Sequence, residues 1–130
     1  MRAELVYLAW TAMLTALLWL PYVSYRMWVW GVGDTLGYPH PPKAMAPWAE
    51  RAKKAHYNAV ENLVVFAALL LAGHALGRLD QTTETAAAAY FWSRMGHYGV
   101  YVLGIPYLRT VFFLASWAAC LVIFLRIVGG

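Results

Sequence analysis

Two sets of residues in this chain have the types and spacing to do chemistry together. Arg51, Lys54, Asn58, Glu61 and Asn62 recur at one- to four-residue intervals, and on a helix turning about 100° per residue they fall within an arc of about 100°. Tyr90, Arg94, His97, Tyr98 and Tyr101 form a second stripe by the same construction. A charge near the centre of a bilayer costs about 2.5 to 3.5 kcal/mol, so Arg94 and Glu61 should turn inward and find partners. A Glu61–Arg94 ion pair that only orders the helices is the simplest reading, but it leaves Asn58, His97, Tyr98, Tyr101 and Arg109 unexplained. A pocket drawing on Arg94, Arg109, Lys54 and Arg26 would be strongly cationic, with Glu61 open to an ammonium group. It would suit a small zwitterion with surplus carboxylates, because the guanidinium fork matches a planar carboxylate. Taken singly, Arg26 and Lys54 also read as interfacial residues whose stems lie along apolar surface.

These stripes must be held at membrane depth. Of the 130 residues, 62% are hydrophobic and 12% charged, about half the charged share of a soluble domain. The chain reads as an all-α membrane protein with one domain over residues 1–130. The net charge of +4 is small and dispersed at the ends of apolar runs, which argues against nucleic acid. Four spans are expected, near Leu5–Tyr25, Trp48–Leu76, Thr85–Leu103 and Tyr107–Val128, each close to the roughly 20 residues that cross a hydrocarbon core. Pro21 should kink the first near Leu17–Tyr22. Thr82 or Thr83 should cap the third, and "GIPY" should separate the third from the fourth. Short second and third connections predict an antiparallel four-transmembrane-helix bundle.

Arg26, Lys43, Arg51, Lys53, Lys54 and Arg109 lie at one end, against Arg2, Arg78 and Arg126 at the other. The richer end should be cytoplasmic, with the 31–47 loop, and both termini periplasmic. Trp28, Trp30, Tyr38, Trp48 and Tyr107 suit an aromatic belt on that side. Gly96 and Gly99 lie opposite the polar stripe, where they should permit close helix approach. His74, Glu4, Asp80 and Glu84 read as solvated or turn residues. No metal site is expected, because His56 and His97 sit on different helices without a second ligand one turn away. No nucleophile stands beside a histidine in a hydrolase-type turn, and Cys120 reads as a small packed hydrophobe.

The segments "ERAKKAHYNAVENLVVFAAL" and "SRMGHYGVYVLGIPYLRTVFF" resemble the MAPEG family, the membrane-associated proteins in eicosanoid and glutathione metabolism. "LLWLPYVSYR" is similar to its bacterial branch. The asparagine-x-x-glutamate and arginine-x-x-histidine-x-x-x-tyrosine patterns occur in order, at Asn58 and Glu61 and at Arg94, His97 and Tyr101. The resemblance implies a homotrimer in a bacterial inner membrane, with glutathione as co-substrate bound between subunits near the cytoplasmic side. Lys54, Asn58, Glu61, Arg94, His97 and Tyr101 match its contacts, Tyr98 lies on the same stripe, and Arg26 matches an arginine supplied by a neighbour. Arg109 matches the arginine that acts on the sulfur, and Thr110 stands where the prostaglandin synthase has serine. Lys54 replaces a common arginine, and Tyr57 stands where that synthase has one, which favours a general transferase over eicosanoid chemistry.

The expected activity is therefore that of a glutathione transferase or glutathione-dependent peroxidase, similar to the microsomal glutathione transferases. A hydrophobic small-molecule electrophile would arrive through membrane lipid and meet a thiolate held by Arg109, with Thr110 or Tyr101 donating to sulfur. The alternative is a non-enzymatic lipid-binding or scaffold protein of the same fold.

Overall fold

The structure is a computed structural model that describes residues 2–129. Six helices account for the elements among the described residues: α1 (Ala3–Leu17), α2 (Leu20–Val29), α3 (Val32–Leu36), α4 (Pro47–Ala75), α5 (Gln81–Leu103) and α6 (Pro106–Val128). Their ends follow from local chemistry. Pro47 and Pro106 open α4 and α6, where a missing N–H costs no helical hydrogen bond. Both α4 and α5 close in the same way: Gly77 and Gly104 take positive φ, the Arg78 N–H donates to the Gly73 carbonyl, and the Ile105 N–H donates to that of Val100. Glycine enters the left-handed region without a Cβ penalty, so a short turn can follow each helix.

The expected break in the first span falls between α1 and α2, with Pro21 in the first turn of α2. The cap of α5 differs from expectation. Asp80, not Thr82 or Thr83, is the N-cap, accepting from the backbone N–H groups of Thr82 and Thr83, while the Thr83 hydroxyl accepts from the Asp80 N–H. Asp80 also pairs with Arg126, tying the start of α5 to the end of α6. The Arg126 guanidinium, followed by the Thr83 and Thr82 amides, holds the Asp80 carboxyl below its ordinary value of 3.8. The resulting stability is complete above that value and is lost as pH falls through the lowered folded-state value. Thermal denaturation should therefore show an acid-side loss below about pH 4 that Asp80→Asn, which can still cap, largely removes. An unchanged acid slope in the variant would reject Asp80 as its source.

Ala3–Val29, Pro47–Ala75 and Pro106–Val128 are each long and apolar enough to cross a membrane, and the chain is an integral membrane protein. α5, expected as the third span, is long enough at 23 residues but is not among the sufficiently apolar helices. Its polar stripe explains the difference, since that face is covered by other helices: α5 packs on α1, α4 and α6. Burial along α1 runs opposite to that of a soluble helix. Its buried residues are Glu4, Thr11 and Thr15, while Trp10, Met13 and Leu17 are exposed. A hydrocarbon solvent accounts for that inversion, because apolar side chains gain nothing by leaving it. The Thr11 and Thr15 hydroxyls donate to carbonyls one turn earlier, so facing inward leaves them satisfied.

Glu4 is a correction to the reading from sequence. It is not solvated but 2% exposed, and its carboxylate is 2.8 Å from the Thr83 hydroxyl. Proximity of the two chain segments, invisible in local pattern, brings them together. The glycines divide as well. A Cβ on Gly96 would lie 2.5 Å from the Phe112 ring, whereas one on Gly99 meets nothing within 4 Å. Gly96 thus permits close approach of α6, and Gly99 does not serve that purpose. The loop between α2 and α4 is tied down by α3, by a Lys43–Asp34 ion pair, and by the Trp30 indole donating to the Ala44 carbonyl.

Candidate functional site

Arg94 is the centre of the polar interior. It lies on α5, is 3% exposed, and donates through Nη2 to the Asn58 side-chain oxygen on α4 at 2.6 Å. Nη1 lies 3.5 Å from the Ser116 hydroxyl on α6, and Nε has no partner among the described residues. Three helices therefore meet at one guanidinium. Asn58 is itself held: Nδ2 of Asn62, one turn on, donates to the Asn58 carbonyl at 2.8 Å. Ser116 donates to the Phe113 carbonyl, which orients its oxygen as an acceptor for Arg94.

From Arg94 the polar groups continue along α5 towards α6. His97 is 2% exposed with Nδ1 unpartnered among the described residues, and its ring meets that of Tyr101 edge-on, centroids 5.4 Å apart. The Arg109 guanidinium carbon lies 4.8 Å from the Tyr101 ring centroid, a cation over an aromatic face. Asn58, Arg94, His97, Tyr101 and Arg109 thus form one continuous series. The Glu61–Arg94 ion pair, the simpler of the readings weighed from the sequence, is not formed. Among the described residues the two ion pairs are Lys43–Asp34 and Arg126–Asp80, so neither Arg94 nor Arg109 has a carboxylate partner.

Other expected residues stand apart from that series. Lys54, Glu61 and Thr110 are exposed on the outside of the chain. Tyr98 points its hydroxyl at the Leu18 carbonyl, 3.5 Å away, and Tyr90 stacks on Phe66 with centroids 3.8 Å apart. Arg51 donates to the Val102 carbonyl at 3.0 Å, satisfying an acceptor in the last turn of α5. Arg26 lies against Tyr22 and Trp30, with Nε towards the Met45 sulfur, and lines a separate cavity of about 450 Å³ beside the 31–47 loop. Ser116 was missed in the sequence. Its signal was available: it lies seven residues beyond Arg109, two helical turns along the same face. His56, which the wheel turns away from the stripe, bonds instead to the Tyr22 hydroxyl at 2.8 Å.

This arrangement can hold an anion or a zwitterion. Among the described residues no group of three or more His, Cys, Asp or Glu side chains is placed to hold a metal ion. Comparisons with curated proteins and with solved structures found no match. The model of the MAPEG family matches residues 7–129. Covering all six helices except the first turn of α1, that match shows that the chain belongs to the MAPEG family.

Proposed function

We propose that the protein is a glutathione transferase or glutathione-dependent peroxidase acting on hydrophobic electrophiles. Its form would be a homotrimer of four-span subunits, the whole chain acting as one domain. The observation that carries this reading is the pair of guanidiniums, Arg94 and Arg109, without carboxylate partners at the polar series that joins α4, α5 and α6. A guanidinium buried as deeply as that of Arg94 needs counter-charge, and a tripeptide with two carboxylates, one ammonium and a thiol offers it. Exposed Lys54 and Glu61 fit the same reading, because a neighbouring subunit would cover them and close the site. Arg26, in its own cavity, is then the residue lent to that neighbour.

Glutathione supplies a thiol that is strongly nucleophilic once ionised. In this reading Asn58, Arg94 and His97 bind and orient the tripeptide, and Glu61 accepts its ammonium group. Arg109 favours the ionised sulfur by its charge, with Tyr101 held against it. Thr110 or the Tyr101 hydroxyl donates to sulfur. Exposed apolar side chains on α6, Leu108, Val111 and Leu114 among them, offer an approach from the bilayer. The poorer positive end, with both termini, faces the periplasm of a bacterial inner membrane, and the 31–47 loop faces the cytoplasm.

Calorimetric titration of the solubilised protein tests the reading. Glutathione should bind saturably, and a response to lipid with none to glutathione would move the chain to the lipid-binding or scaffold class.

A further inference from the structure

A second feature lies at the other end of the molecule, where the N-terminus of α1 passes the C-terminus of α4. There a groove of about 550 Å³ is lined by Arg2, Leu5, Val6, Ala9, Trp10, Met13 and His74. Its polar side chains are two, both exposed: Arg2, the N-cap of α1, and His74, in the last turn of α4. The acid closest in sequence, Glu4, turns inward to Thr83 and leaves the groove without a negative group. Arg2 is fixed in place, since Nη1 donates to the Leu79 carbonyl at 2.9 Å.

From Arg2 to Met13 the α1 face rises about 16 Å at 1.5 Å per residue, and half of a hydrocarbon core is about 15 Å. The groove is therefore as long as one leaflet is deep, apolar along that length, and basic at the headgroup end. We infer that it binds one anionic phospholipid, with an acyl chain along Leu5, Ala9, Trp10 and Met13 and the headgroup phosphate at Arg2 and His74. The phosphate takes the guanidinium nitrogens not engaged by Leu79, and the imidazole donates a further hydrogen bond. This site is separate from the Arg94–Arg109 series and does not rest on the glutathione reading.

Trp10, 61% exposed in the groove, provides the probe. The purified full-length protein is placed in phosphatidylcholine-containing micelles, and phosphatidylglycerol or phosphatidylcholine brominated on one acyl chain is added. The Trp10 signal is taken as the difference between the native protein and Trp10→Phe. Brominated phosphatidylglycerol should quench that signal saturably at a lower mole fraction than brominated phosphatidylcholine. Arg2→Gln should raise the half-quenching mole fraction about fivefold, the effect of one basic residue at an anionic headgroup. Arg2→Lys should preserve the preference, and His74→Leu, which leaves the Arg2–Leu79 bond intact, should weaken it. Equal quenching by the two lipids would overturn the site in favour of ordinary surrounding lipid. A Trp10 signal that neither lipid quenches would overturn it in favour of a second copy of the chain covering this face.

Discussion

Arg109→Ala should lower the rate of glutathione conjugation to a generic aromatic electrophile about a hundredfold, the scale seen when one preorganised charge or donor is removed from a developing anion. The fold should survive, because Arg109 is half-buried, makes no ion pair among the described residues and rests against the Tyr101 ring. The loss should fall on kcat at saturating glutathione, since the charge favours thiolate over thiol and adds little to holding the carboxylates. Raising the pH should recover part of the rate by ionising the thiol in solution. A variant that keeps its rate, or that loses only glutathione affinity, would remove Arg109 from the sulfur.

The second large effect concerns Asn58. Asn58→Leu should destabilise the protein by about 2 to 3 kcal/mol, because it deletes the 2.6 Å acceptor of a buried guanidinium and leaves the charge with Ser116 alone. The same variant should lose saturable glutathione binding. Adding Arg94→Met should restore most of the stability, since removing both members of a buried polar pair can be nearly neutral. Binding should stay absent in the double variant. Thermal unfolding in detergent and calorimetry separate the two readouts. Recovery of binding along with stability would show that Arg94 is a packing element and not part of a ligand site. The double-variant comparison also isolates the coupling between α4 and α5, because the two residues share a direct contact.

The long helices and the break at Pro21 were legible in the chain itself, whereas α3, inside the segment read as a loop, and the Asp80 cap of α5 were not. Apolar runs, Pro21, Pro47 and Pro106, and the glycines after α4 and α5 fix where the backbone can and cannot stay helical. The two polar stripes were legible too, because 3.6-residue periodicity determines which side chains of one helix share a face. Periodicity does not determine how far one helix is shifted or rotated against the next. That relative placement decided that Arg94 meets Asn58 and Ser116 instead of Glu61, and that Ser116, from the stretch of α6 beyond Thr110 that was read as apolar, enters the polar series. It also decided that Glu4 is buried against Thr83, 79 residues away, and that Gly96, but not Gly99, receives a ring from α6. A hydrogen bond or a packing contact depends on separations of a few tenths of an ångström between groups far apart in the chain, so local pattern can name the candidates and only the packed helices select the pairs.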